Sequence, residues 1–388
     1  MELSKRTAWN LSENEFAVAV RARRATGATL LDLTRSNPTQ CGFDYDEQAL
    51  LAPLHSPLAL RYEPEPLGMH AARVAVARYY EDHGATVPLD RICLTTSTSE
   101  AYSFLFRLLC NPGDDVLVAQ PSYPLFDFIA QLDDVALRSY PLWFDPSADH
   151  GHGHGWSIDL ATLEAAIGPH TKALILVHPN NPTGQFASAE ERVALETLCA
   201  RHGLALLVDE VFLDYALEGC AQPSFATGEV GCLTFVLSGL SKICGLPQMK
   251  ASWIVARGPE PMVQSAMERL EVIADTFLSM NAPIQHALPT WLGQRAGLQQ
   301  QVRQRMQRSL SVLDRELLGS AISRYAMQGG WTAVLRVPRS APEFCLLALD
   351  AGVLLQPGTF YGLADGHAVV SLLTPPELWD AGLAILTP

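Results

Sequence analysis

The chain is poor in lysine: only Lys5, Lys172, Lys242 and Lys250 occur in 388 residues, beside 23 arginines. It is poor in charge altogether. Charged residues make up 18%, against a usual fraction of about 25%, which fits a low surface-to-volume ratio or a subunit interface. What charge there is sums to −14. With no basic stripe to offset it, that balance argues against nucleic acid as a partner. No apolar run approaches the roughly 18 residues that span a bilayer, and the opening MELSKRTAWNLSENEF has no apolar signal-peptide core. A cytoplasmic location with no membrane contact is therefore expected. The eight cysteines (41, 93, 110, 199, 220, 232, 244 and 345) form no C-x-x-C pair. They read as reduced, mostly buried thiols rather than a disulfide frame or zinc site. A glycine-rich G-x-G-x-x-G turn after a first strand is also missing, which counts against a Rossmann-type dehydrogenase.

What is present is a chain 48% apolar, organised in alternating patterns. Short apolar runs, ICLTTS (92–97), DVLVAQP (115–121), KALILVHP (172–179), LALLVDE (204–210), TFVLSGL (234–240) and SWIVAR (252–257), are separated by longer segments, several with helical period. The runs are apolar throughout rather than alternating, as for strands buried on both faces. Strand–helix alternation predicts a mostly parallel sheet with helices on both sides. After about residue 280 the texture changes. A Gln/Arg-rich helical stretch (294–318) leads to GGWTAVLRVP and VVSLL, strands of a smaller α+β unit. The arginines of that stretch (295, 303, 305, 308 and 315) read as a solvated helix face. The patch HGHGHG (150–155) reads as a surface loop rather than a metal site, because alternate glycines leave ligands unorganised.

Polar residues gather where the apolar runs end, and in open parallel sheets ligands bind beyond the carboxyl ends of the strands. The ends carry Thr95-Thr96-Ser97, His178-Pro179-Asn180-Asn181-Pro182-Thr183-Gly184, Asp209-Glu210 and Ser238-Gly239-Leu240-Ser241-Lys242. Ser97 followed by Glu100 has the spacing of a capping box. The helix it opens would bury Ala101, Phe104, Leu105, Leu108 and Leu109 and end at Asn111-Pro112-Gly113. Such an N-terminus, lined by hydroxyls, either serves only as a cap or binds phosphate. Lys242 and Lys250 lie eight apart just after a buried strand. An apolar approach lowers a lysine's pKa and frees its amine as a nucleophile, while the plainer reading is a lysine snorkelling from a strand end. Asp209 closes a strand so apolar that its carboxylate needs a cationic partner, which a protonated pyridine nitrogen would provide. Phosphate site, amine and buried carboxylate together suggest pyridoxal phosphate.

With these motifs in this order, the sequence resembles the class I/II aminotransferases, whose fold is that of aspartate aminotransferase (fold type I of the pyridoxal phosphate enzymes), from about Leu31 to the C-terminus. The resemblance implies an α/β architecture: a large domain (46–280) with a mostly parallel seven-stranded sheet flanked by helices, and a small α+β domain made of 1–45 and 281–388. It implies that Lys242, in S-K-x-x-G-L, forms the Schiff base with pyridoxal 5'-phosphate, and that Asp209, in D-E-V, pairs with the pyridinium nitrogen. Asn181, in N-P-T-G, would hydrogen-bond the ring oxygen and Tyr123, in P-S-Y-P, would stack on the ring. Ser97, Thr98, Ser99 and Ser241 match phosphate-loop positions. Tyr62, in R-Y-x-P-x-x-x-G, matches the tyrosine that reaches the phosphate of the neighbouring subunit, which implies a homodimer with shared active sites.

Four positions depart from the family pattern. Lys250 stands where arginine is usual, keeping the charge but losing the bidentate fork. Phe212 stands in place of a tyrosine that donates to the ring oxygen. The lysine–cofactor linkage is then expected to stay protonated to higher pH, unless Tyr215 substitutes. Gly239 occupies a Gly-or-Ser position three before the lysine, so a phosphate hydroxyl is missing there. Val369 replaces the arginine that usually grips the substrate carboxylate, and no arginine follows Arg339. Arg35, in LTRSNP, with Ser36, is the candidate replacement; the alternative for Arg35 is a surface or ion-pairing role. The expected reaction is ping-pong transfer of an amino group between amino acids and 2-oxo acids. A lyase or racemase on the same fold is the rival that Val369 favours. A non-catalytic regulator would need a DNA-binding module ahead of Leu31, where none is expected.

Overall fold

The computed structural model describes residues 2–145 and 155–387. Except for Gly155, the HGHGHG patch lies outside the described residues. Fourteen strands are described. In chain order they are β1 (Leu31–Asp32), β2 (Ile92–Thr95), β3 (Asp115–Gln120), β4 (Ala136–Phe144), β5 (Trp156–Ile158), β6 (Thr171–Val177) and β7 (Ala205–Asp209). There follow β8 (Thr234–Gly239), β9 (Ser252–Arg257), β10 (Ser323–Arg324), β11 (Thr332–Arg336), β12 (Val353–Leu354), β13 (Gln356–Pro357) and β14 (His367–Ser371). The main sheet has the order β2-β9-β8-β7-β6-β3-β4-β5. All its strands run the same way except β9 and β5, which are antiparallel to their neighbours.

The six apolar runs became β2, β3, β6, β7, β8 and β9. The sheet has eight strands rather than seven, because the three-residue β5 pairs with the end of β4. Neither β4 nor β5 is an apolar run. Strand β4 lies near the sheet edge and is largely exposed, so nothing in its local environment demands continuous hydrophobicity.

Side chains alternate between the two faces of the sheet and build two cores. On one face, Cys93, Ile175, Leu207, Phe235, Leu237 and Ile254 pack with Ala101 and Leu105 of the helix Thr98–Leu109 and Leu270 of Glu260–Phe277. On the other, Leu94, Val208, Val236 and Trp253 meet the helices His70–Glu81 and Ala189–His202. Burying a side chain such as Leu237 contributes about 1.5–3 kcal/mol.

A third core lies under the four-stranded sheet β10-β11-β14-β13. The helix Ala282–Glu316 joins the cores: Leu288 and Trp291 pack in the main one, and Val302, Met306 and Leu313 in the third. It begins well before the expected start at 294 and carries Pro289 in its interior, a residue that sequence reading takes as a helix stop.

Its arginines are not merely solvated. Half-buried Arg305 donates to the carbonyls of Cys41 and Leu373, each at 3.0 Å. Arg295 pairs with Asp82 at 2.5 Å and Arg308 with Asp380 at 2.7 Å. All eight cysteines are free thiols, and all but Cys110 are buried. Among the described residues, no helix is long and apolar enough to cross a membrane.

Candidate active site

The main sheet brings several of the predicted residues to one rim. Asp209 is the last residue of β7, and its neighbour β8 ends at Gly239, three residues before Lys242. Asp209 stands opposite Leu237, so its side chain shares the face that carries the helix Thr98–Leu109. That helix begins at the same rim. Ser97 caps it by accepting the N–H of Glu100 at 3.1 Å. The Glu100 carboxylate accepts from Thr96 N at 2.6 Å, so the box closes one residue ahead of the cap. Ser97, Thr98 and Ser99 therefore surround unpaired helical N–H groups, an arrangement suited to an anion. Of the expected face, Ala101, Phe104 and Leu105 are buried and Leu108 and Leu109 only partly so, while Tyr102 and Phe106 are buried as well.

Tyr102, one turn into the helix, ties the anion end to the acid. Its hydroxyl donates to Asp209 Oδ2 at 3.2 Å, and Val211 N–H donates to Oδ1 at 3.1 Å. Burial pushes the Asp209 carboxyl up to about 6, while those two donors and the charge of Lys242 work in the opposite direction. Such a group accepts a cationic hydrogen-bond donor readily, because a counter-charge removes most of its desolvation penalty. Glu210, the next residue, does different work. It receives the Ser224 hydroxyl and the Phe225 N–H, both at 2.6 Å, and thereby holds the 224–226 turn.

Lys242 lies on the four-residue helix Leu240–Ile243. Its Nζ sits 4.9 Å from the centre of the Trp331 ring and 5.4 Å from that of Phe212. Desolvation lowers its pKa to about 8, with the Asp209 carboxylate acting to raise it. The amine is thus substantially neutral at mildly alkaline pH, the state that attacks carbonyls. Tyr215 does not substitute at the Phe212 position. Its hydroxyl donates to the Lys242 carbonyl at 2.6 Å, and its ring packs against Trp331 at 5.0 Å.

Trp331 is held by a clasp. Gln328 N and Gly329 N both donate to Gly184 O, and Gly330 N donates to Tyr215 O. Gly184 has φ +70°, and a Cβ there would come within 2.4 Å of Gly329 O. The glycine of N-P-T-G is therefore required by a close backbone approach. Within the same clasp, Thr332 Oγ1 donates to the carbonyl of Pro182 at 3.0 Å and lies 3.5 Å from Asn181 Oδ1.

Tyr123 packs edge-on against Phe126 at 5.8 Å, and its hydroxyl feels the charge of Asp209. Ser241 is half-buried beside Lys242. Lys250 is exposed, with φ +53°, two residues before β9. Arg35 and Ser36 are exposed on a turn whose Pro38 approaches Gly245, three residues beyond Lys242. Tyr62 is 82% exposed, next to a likewise exposed Leu60. Val369 is sealed among Trp156, Val334 and Leu363, so no charge reaches the site from that position. His178, at the same rim, is not free for chemistry. Burial drives its pKa down to about 3, and Nδ1 accepts from Ala187 N at 3.2 Å.

Three residues went unrecognised in the sequence: Tyr102, Trp331 and Ser252. The helical period marks Tyr102 only as a neighbour of the apolar face. The GGW run marks Trp331 only as the start of a strand. Nothing in SWIVAR marks Ser252 as more than the start of an apolar run.

The donor set fits pyridoxal phosphate: a buried acid for a ring nitrogen, a desolvated amine for an aldehyde, and a hydroxyl-lined helix N-terminus for a phosphate. The glutamate-pyruvate aminotransferase AlaA of Escherichia coli (strain K12) is 30% identical over 269 residues, 69% of this chain and 64% of that protein. The alanine aminotransferase of Mycobacterium bovis is 30% identical over 273 residues, 69% of this chain and 61% of that protein. The chain thus spans somewhat less than two thirds of the length of these relatives. A solved alanine aminotransferase from Pyrococcus furiosus superposes with TM-score 0.87 at 21% identity, covering 100% of this chain and 98% of that one. A Thermus thermophilus aspartate aminotransferase variant gives 0.84 at 23%, covering 100% and 99%; both likenesses concern the fold. Residues 60–379 match the family described as aminotransferase class I and II, and the chain belongs to that family.

Proposed function

We propose that the protein is a pyridoxal phosphate-dependent aminotransferase that moves an amino group between an amino acid and a 2-oxo acid by ping-pong turnover in the cytoplasm. The observation that carries this reading is that adjacent strand ends bring a desolvated Lys242 amine and a buried Asp209 carboxylate to one sheet rim. Bound there, the cofactor would supply an aldehyde for amine capture and a ring that absorbs electrons from the substrate carbon.

The chain's own residues do the rest. Asp209, oriented by Tyr102 and Val211, holds the proton on the ring nitrogen. Ser97, Thr98, Ser99 and Ser241 hold the phosphate, with Lys250 as a point charge. Tyr123 covers the ring and Asn181 bonds its oxygen. Phe212 and Trp331 keep water from Lys242 Nζ, so that the neutral amine takes the proton from the substrate carbon and later returns it, as base and then acid. Arg35 and Ser36 take the substrate carboxylate in place of the arginine absent at Val369. Tyr62 reaches across a homodimer interface. Its exposure together with that of Leu58 and Leu60 supports burial there by a second copy. In this reading the cofactor belongs to residues 46–280, and the segments 1–45 and 281–388 form the smaller domain.

Borohydride reduction followed by peptide mapping tests the first step and should leave a pyridoxyl group on Lys242. A panel of amino acids tests the second. Stoichiometric conversion to pyridoxamine phosphate by an amino acid alone supports transamination, whereas release of ammonia with an oxo acid marks elimination and overturns it.

A further inference from the structure

Family resemblance leaves the phosphate one hydroxyl short, because position 239 is glycine. The strand register shows what fills that place. Gly239 of β8 stands directly opposite Ser252 of β9, and Ser252 stands opposite Thr95 of β2. Directly opposed residues send their side chains to the same face. Here that face is the one carrying the helix Thr98–Leu109, since Cys93, Leu237 and Ile254, two positions further along each strand, all pack in its core. Because β9 runs antiparallel, its first residue, Ser252, lies at the same rim as the ends of β2 and β8. The row Thr95–Ser252–Gly239 thus ends at the rim from which the Ser97-capped helix starts.

Within that row, a Cβ built on Gly239 would lie 2.2 Å from Ser252 Oγ and 2.8 Å from Ala251 O. The space that a side chain at 239 would enter is therefore held by the Ser252 hydroxyl, which is buried at 2% exposure.

Resting on the pyridoxal phosphate reading, we infer that Ser252 supplies from the facing strand the phosphate hydroxyl that Gly239 lacks. Its Oγ–H donates to a phosphate oxygen beside the N–H groups at Ser97–Ser99. Glycine at 239 is then the condition for serine at 252: the two positions exchange one hydroxyl between paired strands.

The test compares ligands with and without the phosphate, on cofactor-stripped protein followed by absorbance. Ser252→Ala should weaken pyridoxal phosphate binding about tenfold, the scale of one hydrogen bond to a charged group. Binding of unphosphorylated pyridoxal should not change. Equal weakening of both ligands, or of neither, overturns the assignment. The exchange has its own test. Gly239→Ser alone should weaken pyridoxal phosphate binding, because its side chain meets both Ser252 Oγ and Ala251 O, and Gly239→Ser with Ser252→Gly, which removes the first of those contacts, should bind at least about threefold more tightly than Gly239→Ser alone. A double variant no better than Gly239→Ser overturns the exchange. Absence of a borohydride adduct in the parent protein overturns the cofactor reading and this assignment together. An adduct in the parent with unchanged affinity in Ser252→Ala overturns this assignment alone.

Discussion

Replacing Asp209 with asparagine should stabilise the cofactor-free protein. A carboxyl whose pKa rises from 3.8 in the unfolded chain to about 6 in the fold is held against its preference at neutral pH. Integrated over pH, that difference costs the folded state about 3 kcal/mol at pH 8 and about 1 kcal/mol at pH 4.5. The sign follows from proton binding. With the folded-state pKa raised, the native state holds its proton more tightly, so stability is greatest below 3.8 and falls as pH rises towards about 6. Asparagine has no charge to desolvate, and its amide oxygen can still accept from Tyr102 or Val211. Asp209→Asn should therefore melt about 4 °C higher than the parent at pH 8, taking a per-residue unfolding entropy of about 2.1 cal/mol/K. The gain should shrink to about 1 °C at pH 4.5. Differential scanning calorimetry of stripped protein at the two pH values measures it. A variant less stable than the parent at pH 8, or a gain that does not shrink in acid, would refute the claim that desolvation dominates this carboxyl. With pyridoxal phosphate bound the order should reverse, because the ring nitrogen then supplies the missing counter-charge.

Other outcomes follow from the same geometry. In Asp209→Asn the Lys242 amine loses the one charge that raises its pKa, so its titration midpoint should move below about 8, read from the pH dependence of its modification in stripped protein. Gly184→Ala should cost more than about 1 kcal/mol, through its positive φ and the approach to Gly329 O; chemical denaturation measures this, and Trp331 fluorescence should report the loosened clasp. Arg35→Ala should raise the KM for amino acids about tenfold or more with a smaller change in kcat, and an unchanged KM removes Arg35 from the substrate site. Because Tyr215 is committed to the Lys242 carbonyl, absorbance titration should find the lysine–cofactor linkage still protonated well above neutral pH, and a strongly depressed value would contradict the reading of Phe212.

Much of this molecule is legible in its sequence. Continuous apolar runs identify strands buried on both faces, since solvent on either face would demand alternation. Lys242 and Asp209 stood out for the same reason: charge at the end of an apolar strand needs a purpose. Local physics of that kind is written along the chain. Strand β4 is not legible as an apolar run because, one place in from the sheet edge, it is largely exposed. The start of the long helix escaped because Pro289 argues locally for a stop, while Leu288 and Trp291 beside it are packed in the main core.

Tertiary structure alone decided the remaining questions, all of them about which side chains meet. Tyr102 reaches Asp209 across 107 positions, Arg305 reaches the carbonyl of Cys41, and Ser252 fills the space above Gly239. Sequence spacing constrains only neighbours along one element, whereas register between strands and the seating of a helix on a sheet come from packing the whole core. The amino-acid sequence by itself determined the kind of fold and singled out Lys242 and Asp209. The packed sheet determined how those groups are oriented, dried and charged.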